Sequence, residues 1–240
     1  MALFDELKRR ALDICAAWDL FTERIRIKAR PLSPEEAIGN PEADDYPLQK
    51  GKERLMHAEF RGSFGQAFTD RYGDYEGSLA EVFSINLENN YRRAVFVASL
   101  NALLRYTGHI GNTVHCRDQD PPLCAAKLSK YLKKRYGEVK IAQIGFQPRM
   151  VETLNSIFDL RVTDLDPDNI DSIRFNTLIE GPEATDEVID WADVLLVTGT
   201  TLVNETIDQF LDKKPVIFYG TTIAGAAHLM GWERFCAYAS

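Results

Sequence analysis

The chain has 240 residues, of which 45% are hydrophobic and 27% are charged, a composition ordinary for a globular protein of one large domain or two small ones. Its formal net charge of −8 repels phosphate backbones and anionic lipid, so we expect neither a nucleic-acid partner nor a membrane partner. No stretch approaches the roughly 18 apolar residues of a spanning helix, and the first residues lack the pattern of a signal peptide, which predicts a cytoplasmic protein.

The N-terminal half is predicted to be a mixture of helices and strands. Apolar residues recur at helical spacing over residues 3–21, and residues 24–30 and 54–61 alternate as half-buried strands do. Ser78 and Glu81 form a capping-box pattern that starts a short helix. Residues 89–107 predict a longer helix that is apolar on several sides, and such a helix is expected where two layers or two domains meet.

The C-terminal half has a different pattern, in which short apolar runs alternate with helical segments. A helix is predicted over residues 123–136, after Pro121 and Pro122. The predicted strands that follow Gly137 are residues 139–145, 160–164, 194–198 and 216–220. Because strands that alternate with helices form parallel sheets, we predict an α/β fold with a Rossmann-like parallel-sheet domain, residues 112–240, preceded by a smaller α+β domain, residues 1–111.

Candidate ligand-binding residues follow the predicted parallel strands, since ligands bind outside the carboxyl ends of such strands. They are Gly145, Gln147, Asp164, Thr200, Thr201, Asn204, Thr221 and Thr222. The sequence Gly-Thr-Thr occurs at residues 199–201 and again at 220–222, each time between a strand and a helix. Paired turns of this kind predict a ligand site, although threonines that cap helices and glycines that permit tight turns remain an alternative.

Ordinary NAD binding is not expected, because residues 145–150 lack the G-x-G-x-x-G pattern. Asp164 stands at the end of the second predicted strand of the parallel sheet, where an acidic residue often bonds a ribose hydroxyl. A capping or solvated aspartate explains that position equally well. No nucleophile elbow or phosphate loop is evident, so the sequence leaves open whether the protein is an enzyme.

Candidate metal ligands lie in the polar stretch between the predicted halves. His115 and Cys116, with Cys124 nearby, could bind a soft metal, but their spacing matches no standard zinc pattern. Arg117 could lower the pKa of the Cys116 thiol. An ordinary linker histidine and a buried thiol are the alternative. The four cysteines are widely scattered and are expected to be free thiols.

Two further candidates come from glycine-containing stretches of the N-terminal half. Lys50 lies in a Lys-Gly-Lys sequence, and Gln66 follows Gly65. Loops of this composition often reach toward ligands. A solvated turn is the alternative for Lys50, and a bulged strand is the alternative for Gln66.

These same stretches carry a resemblance to a known family. Residues 46–52, 65–69, 113–118, 145–148, 198–204 and 219–225 together resemble the putative heavy-metal-chelation family. The resemblance spans nearly the whole chain in order. It implies an N-terminal domain similar to that of enolase, a C-terminal Rossmann-like domain, a site in the cleft between them, and a heavy metal or metal chelate as ligand. It implies no enolase catalysis, because fold alone does not establish function.

The leading functional hypothesis is therefore a protein that binds or processes a small polar or metal-chelating molecule between two domains. Lys50, Gln66, His115 and Cys116 would line one wall, opposite the strand-end residues. One alternative is a transferase or lyase acting on a nucleotide-like or phosphorylated substrate at the paired turns. Another is a non-catalytic assembly module, and the sequence leaves open whether the chain forms a homo-oligomer.

Overall fold

The computed structural model of the protein describes residues 2–21, 26–50 and 53–240. Its helices are α1 (Ala2–Ala17), α2 (Pro34–Ile38), α3 (Leu79–Ser84), α4 (Asn90–Tyr106), α5 (Asp120–Tyr136), α6 (Pro148–Asn155), α7 (Thr185–Trp191), α8 (Thr200–Val203) and α9 (Ala224–Met230). Its strands are β1 (Arg26–Pro31), β2 (Arg54–Phe60), β3 (Ser63–Thr69), β4 (Tyr75–Ser78), β5 (Lys140–Ile144), β6 (Asp159–Thr163), β7 (Ile173–Arg174), β8 (Thr177–Glu180), β9 (Val194–Thr198), β10 (Val216–Tyr219) and β11 (Arg234–Phe235).

The first four strands form an antiparallel sheet in the order β3-β2-β1-β4. The predicted strands at 24–30 and 54–61 correspond to β1 and β2, although residues 24 and 25 lie outside the described residues. Helix α4 packs closely on β3 at Gly65, where an added Cβ atom would lie 2.3 Å from both the Ala102 nitrogen and the Ala98 oxygen. Glycine is therefore required at this contact.

Helix α4 lies between the antiparallel sheet and the C-terminal half of the chain. It begins after Asn89, whose side chain accepts a hydrogen bond from the Arg92 nitrogen, and its residues 93–104 are all buried. On one side α4 contacts β2 and β3, and on the other it contacts α8 and α9. The prediction of a buried helix between two layers is confirmed.

A polar side chain joins the two halves inside this apolar layer. Asn101 of α4 is 0% exposed, and its amide donates to the carbonyl oxygens of Gln66 at 2.9 Å, Thr221 at 3.1 Å and Thr222 at 3.2 Å. Its oxygen accepts from the Gly225 nitrogen at 2.7 Å. Asn101 thus connects β3 to the turn between β10 and α9.

The C-terminal half contains a seven-stranded sheet in the order β11-β10-β9-β5-β6-β8-β7. All neighbouring pairs are parallel except β7 with β8. Both faces of this sheet are covered: Leu195 and Val197 pack in the core that includes α4, whereas Val194 and Leu196 pack in the core formed with α5 and α6. The mixed α/β class and the predicted parallel strands are confirmed, and the short strands β7, β8 and β11 were not predicted.

The strand order reverses direction between β5 and β9. From β5 the chain proceeds through β6 to β8 on one side, and then returns to the other side of β5 to form β9, β10 and β11. The segments that follow β5 and β9 therefore run to opposite sides of these two neighbouring strands. A crevice opens at such a point in a parallel sheet.

Helix boundaries follow local capping chemistry. The predicted capping box at Ser78 and Glu81 is present, and a second one, at Ser33 and Glu36, starts the unpredicted helix α2. Helix α1 ends at Ala17, before the predicted end at residue 21. Across the described residues, no helix is long and apolar enough to cross a membrane.

Candidate functional site

A cavity of about 750 Å³ lies at the carboxyl ends of the parallel strands, where the strand order reverses. The ends of β5, β6, β9 and β10 form one wall. Residues from β3, from the start of α4 and from the loop after α2 form much of the remainder. The predicted site residues that line it are Gly145, Gln147, Asp164, Thr200, Thr201, Asn204, Thr222, His115 and Cys116.

Gly145 and Tyr219 shape the centre of this wall. Gly145 has a φ of 92°, and an added Cβ atom would lie 2.7 Å from Cγ2 of Thr198 and 3.1 Å from the Tyr219 hydroxyl oxygen. That hydroxyl donates to the Gly145 carbonyl oxygen at 2.8 Å, and burial raises its pKa. Tyr219 is therefore a neutral group that fixes the turn after β5.

The paired Gly-Thr-Thr turns lie at the cavity, but the threonines do not cap helices with their side chains. The N-cap residues of α8 and α9 are Gly199 and Ile223, and neither helix start has a side-chain capping hydrogen bond. The Thr201 hydroxyl donates to the Thr198 carbonyl oxygen at 2.7 Å. The Thr222 hydroxyl oxygen accepts from the Phe68 nitrogen at 3.0 Å, which fixes β3 against this turn.

Four carboxylates line the cavity and will be called the acidic group: Glu53, Asp70, Asp164 and Asp166. Burial, followed by the negative charges of the three aspartates, raises the pKa of Glu53 to about 7. Burial also raises the pKa of Asp164, even though this carboxylate accepts from the Asn169 amide at 2.8 Å and from the Leu165 nitrogen at 2.7 Å. Asp164 is held in place, whereas no described residue donates a hydrogen bond to the Glu53 carboxylate.

His115 lines the cavity and has a hydrogen-bond acceptor on its ring. Its Nδ1 lies 2.6 Å from the Cys116 carbonyl oxygen, and since a carbonyl can only accept, Nδ1 carries the proton. Burial lowers the pKa of His115, so the ring is neutral and Nε2 has a free lone pair.

The cysteines of the cavity are Cys116, Cys124 and Cys236, and all are free thiols. The expected activation of Cys116 by Arg117 is wrong. Burial raises the pKa of the Cys116 thiol, and the Arg117 guanidinium donates instead to the Glu35 carbonyl oxygen at 3.0 Å. Cys116 is therefore a protonated thiol near neutral pH.

The predicted metal ligands do not by themselves form a metal site. Within the described ranges, no three His, Cys, Asp or Glu side chains are grouped so that they could hold a metal ion. His115 and Cys116 both line the cavity, but one neutral imidazole and one protonated thiol leave most of a coordination sphere unfilled. A metal would have to bring other ligands with it.

Three predicted site residues do not line this cavity. The Lys50 side chain is exposed to solvent. Thr221 is buried behind the turn, where its carbonyl oxygen accepts from Asn101. Gln66 is buried between two histidines: its oxygen accepts from the His115 nitrogen at 2.7 Å, and its amide donates to Nδ1 of His57 at 3.0 Å.

Gln66 and His57 instead line a second, smaller cavity of about 330 Å³, which His115 also borders. Arg30 and Glu36 at its rim form an ion pair at 2.7 Å. Burial lowers the pKa of His57.

Sequence reasoning missed most of the acidic group and the aromatic part of the lining. Glu53 and Asp70 directly flank β2 and β3, and Phe68 lies on β3. The sequence marks these residues only by their position in or next to a strand. They reach the cavity because the packing of the two halves brings this edge of the antiparallel sheet to it. Tyr219 belongs to the predicted turn after the fourth parallel strand and to the motif of residues 219–225, but it was not among the predicted site residues.

Comparison with known proteins gives a match to one family model over part of the chain, and a fold. A family model described as putative heavy-metal chelation, DUF364, matches residues 130–229. No curated protein matches the chain.

Two solved structures of proteins of unknown function, both from the DUF364 family, are similar to the chain. One, from Pyrococcus horikoshii, is 18% identical with a TM-score of 0.59, and the alignment covers 92% of this chain and 79% of that one. The other, from Desulfitobacterium hafniense DCB-2, is 13% identical with a TM-score of 0.50 and coverages of 74% and 72%. At these identities the likeness shows the fold alone. The resemblance to the putative heavy-metal-chelation family is therefore confirmed, with residues 130–229 carrying the match.

Proposed function

We propose that the protein binds or processes a small polar or metal-chelating molecule in the cavity of about 750 Å³. The observation that carries this proposal is the position of the cavity, which lies where the strand order reverses between β5 and β9. Open parallel sheets bind their ligands at that point. The volume is also within the range of roughly 300–1,000 Å³ that small-molecule sites have.

We further propose that the cavity is a cleft between two domains, residues 1–111 and 112–240, similar to the enolase N-terminal domain and to a Rossmann-like domain. In support, the antiparallel strands all lie within residues 26–78 and the strands of the second sheet within 140–235. The central strands of the second sheet have the order β8-β6-β5-β9-β10, which is the 3-2-1-4-5 order of a doubly wound sheet.

A metal is proposed to enter as a chelate. The described side chains do not group as a metal site, whereas a chelate carries its own donor atoms and needs only a few groups from the protein. His115 Nε2 could supply one such ligand to a metal with an open coordination position.

The alternative of a phosphorylated substrate is not supported by the lining. Within the described ranges, the cavity wall contains no lysine or arginine, and its charged groups are the carboxylates of the acidic group. A phosphate placed there would meet like charge. Helices α8 and α9 are also short, with 4 and 7 residues, so neither adds a strong helix dipole.

Native mass spectrometry with elemental analysis of the freshly purified full chain tests the proposal. We expect the wild type to retain an organic mass that is lost in Thr200→Trp, which fills the cavity. The mass should be kept in Ser84→Trp, because Ser84 is an exposed residue of α3 that does not line the cavity. Metal that accompanies the organic mass supports a chelate. Metal without organic mass, or a mass kept equally by all variants, contradicts the proposal.

Direct metal binding is tested separately. Zinc, nickel and molybdate are titrated by calorimetry into the wild type and into His115→Ala/Cys116→Ser. We expect equal affinities in the two proteins for the free ions. A loss of tight binding in the double variant would show that these two residues hold the metal themselves.

A further inference from the structure

The charged residues described in the lining of the cavity are all acidic. The four carboxylates of the acidic group line the cavity, and no described lysine or arginine shares the wall with them. The Asp45–Arg149 ion pair lies nearby, at 2.5 Å, but neither residue lines the cavity. The carboxylates of Glu53 and Asp164 have no ion pair with a described residue, so a ligand that enters between them meets their negative charge.

Several hydrogen-bond acceptors of the lining residues also lack a donor among the described residues. The Oδ1 atom of Asn169, a residue only 3% exposed, has no hydrogen-bond partner among the described residues, while its amide nitrogen is used by Asp164. The Glu53 carboxylate receives no hydrogen bond from a described residue, and Nε2 of His115, another lining residue, carries a lone pair. Buried acceptors without donors are costly, so a ligand that supplies N–H groups is favoured here.

The remainder of the lining is apolar. Phe68, Phe146, Met150 and Phe235 line the same space, together with Leu48. A fully hydrated inorganic ion gains nothing from such a surface, whereas the carbon skeleton of an organic molecule buries area against it. The absence of any three-ligand grouping in the described part of the chain also disfavours a bare divalent metal.

Resting on the proposed function, we propose that the ligand of this cavity is an organic cation, with an ammonium or amidinium group placed between Glu53 and Asp164 and an apolar body over Phe68, Phe146 and Met150. Asp164 is the oriented anchor, since hydrogen bonds from Asn169 and Leu165 fix its carboxylate. Glu53, whose carboxylate receives no hydrogen bond from a described residue, is the second anion that the cation contacts. Hydrogen bonds between charged groups are about twice as strong as neutral ones, so charge should dominate selection.

Three probes that differ only in the charge of one end test this inference: 4-phenylbutylamine, 4-phenylbutanol and 4-phenylbutyrate. Each is titrated by calorimetry into the full chain at pH 8, where the amine is protonated. We expect the amine to bind at least about tenfold more tightly than the alcohol, and the carboxylate to bind least. Glu53→Gln should bring the amine close to the alcohol, and Glu53→Gln/Asp164→Asn should remove the remaining preference.

Glu59→Gln is the matched control, because Glu59 is an exposed acid of β2 outside the cavity lining. It should leave the preference for the amine unchanged, and circular dichroism checks that every variant is folded. Equal or tighter binding of the alcohol or the carboxylate overturns the cationic ligand and leaves the proposed function standing. Binding of none of the probes, with no retained organic mass, overturns both. Calcium or magnesium chloride that competes with the amine in a Glu53-dependent way overturns the organic cation in favour of a metal.

Discussion

Removal of the Asn101 amide should destabilise the protein, because its hydrogen bonds connect the two halves of the chain. Asn101→Ala deletes three donated hydrogen bonds and the one accepted from the Gly225 nitrogen. Gly225 lies in the first turn of α9, where no earlier helical carbonyl can accept its N–H. Each buried group left unpaired costs about 1–3 kcal/mol. Asn101→Ala leaves this N–H and at least one carbonyl without a partner, so we expect the free energy of unfolding to fall by about 2–4 kcal/mol.

The assay is urea denaturation of the full chain followed by circular dichroism, with thermal melting as a second measurement. A loss of this size corresponds to a fall in Tm of roughly 5–15 °C for a chain of this length. Ser99→Ala is the matched control: Ser99 is also 0% exposed on α4, but its hydroxyl has no hydrogen-bond partner among the described residues. It should change the free energy of unfolding by less than about 1 kcal/mol.

Asn101→Asp sharpens the test because it keeps the shape of the side chain and the bond from Gly225. It places acceptor atoms against three carbonyl oxygens, so it should destabilise at least as much as Asn101→Ala. The reasoning is refuted if Asn101→Ala is as mild as Ser99→Ala, or if Asn101→Asp matches the wild type.

Three further outcomes are expected. Gly65→Ala should cost on the order of 3 kcal/mol in urea denaturation, because its Cβ meets the α4 backbone at 2.3 Å, whereas Gly73→Ala, whose Cβ would lie 3.5 Å from a tyrosine ring, should stay within about 1 kcal/mol of the wild type. The folded-state pKa of Glu53, about 7, exceeds its ordinary value of 4.5, so the stability that this group contributes is complete below pH 4.5 and is lost as the pH rises through 7. The free energy of unfolding of Glu53→Gln should not fall over this range. It should exceed that of the wild type by on the order of 1–3 kcal/mol at pH 8, but not at pH 4. Because burial raises the pKa of Cys116, Cys116→Ser should leave the number of thiols that react within minutes with a disulfide reagent at pH 8 unchanged, and one fewer reactive thiol would contradict this.

The fold was predictable where burial imposes a regular pattern on the sequence. Strand β9 is buried on both faces, so every residue from Val194 to Val197 is apolar, and parallel pairing with its neighbours follows. The abundance of Ala, Val, Leu and Phe on several sides of the segment 89–107 likewise predicted a buried helix between two layers, and residues 93–104 of that helix are all buried. Strands β7 and β11 have only 2 residues each, too few for any periodicity to show.

The candidate site was predictable only on the side formed by the parallel strands. Gly145, Asp164 and Thr200 follow strands whose carboxyl ends meet at one edge, so their proximity is a consequence of the topology. Glu53 and Asp70 reach the same cavity because α4 fixes the antiparallel sheet against the second half. That docking is decided by tertiary contacts between distant segments, and no local pattern in the sequence encodes it.

The contacts between the two halves also determine where the cavity lies. At its base the two halves share one apolar core, and buried polar groups cross the boundary: Asn101 bonds the turn after β10, Arg93 donates to the Val203 carbonyl oxygen at 2.6 Å, and the Phe68 nitrogen donates to Thr222. Rotation of one half against the other would leave these groups buried without partners, which is unfavourable. The wall that carries Phe68 is therefore held in a fixed position relative to the ends of the parallel strands, and the space between them is preformed.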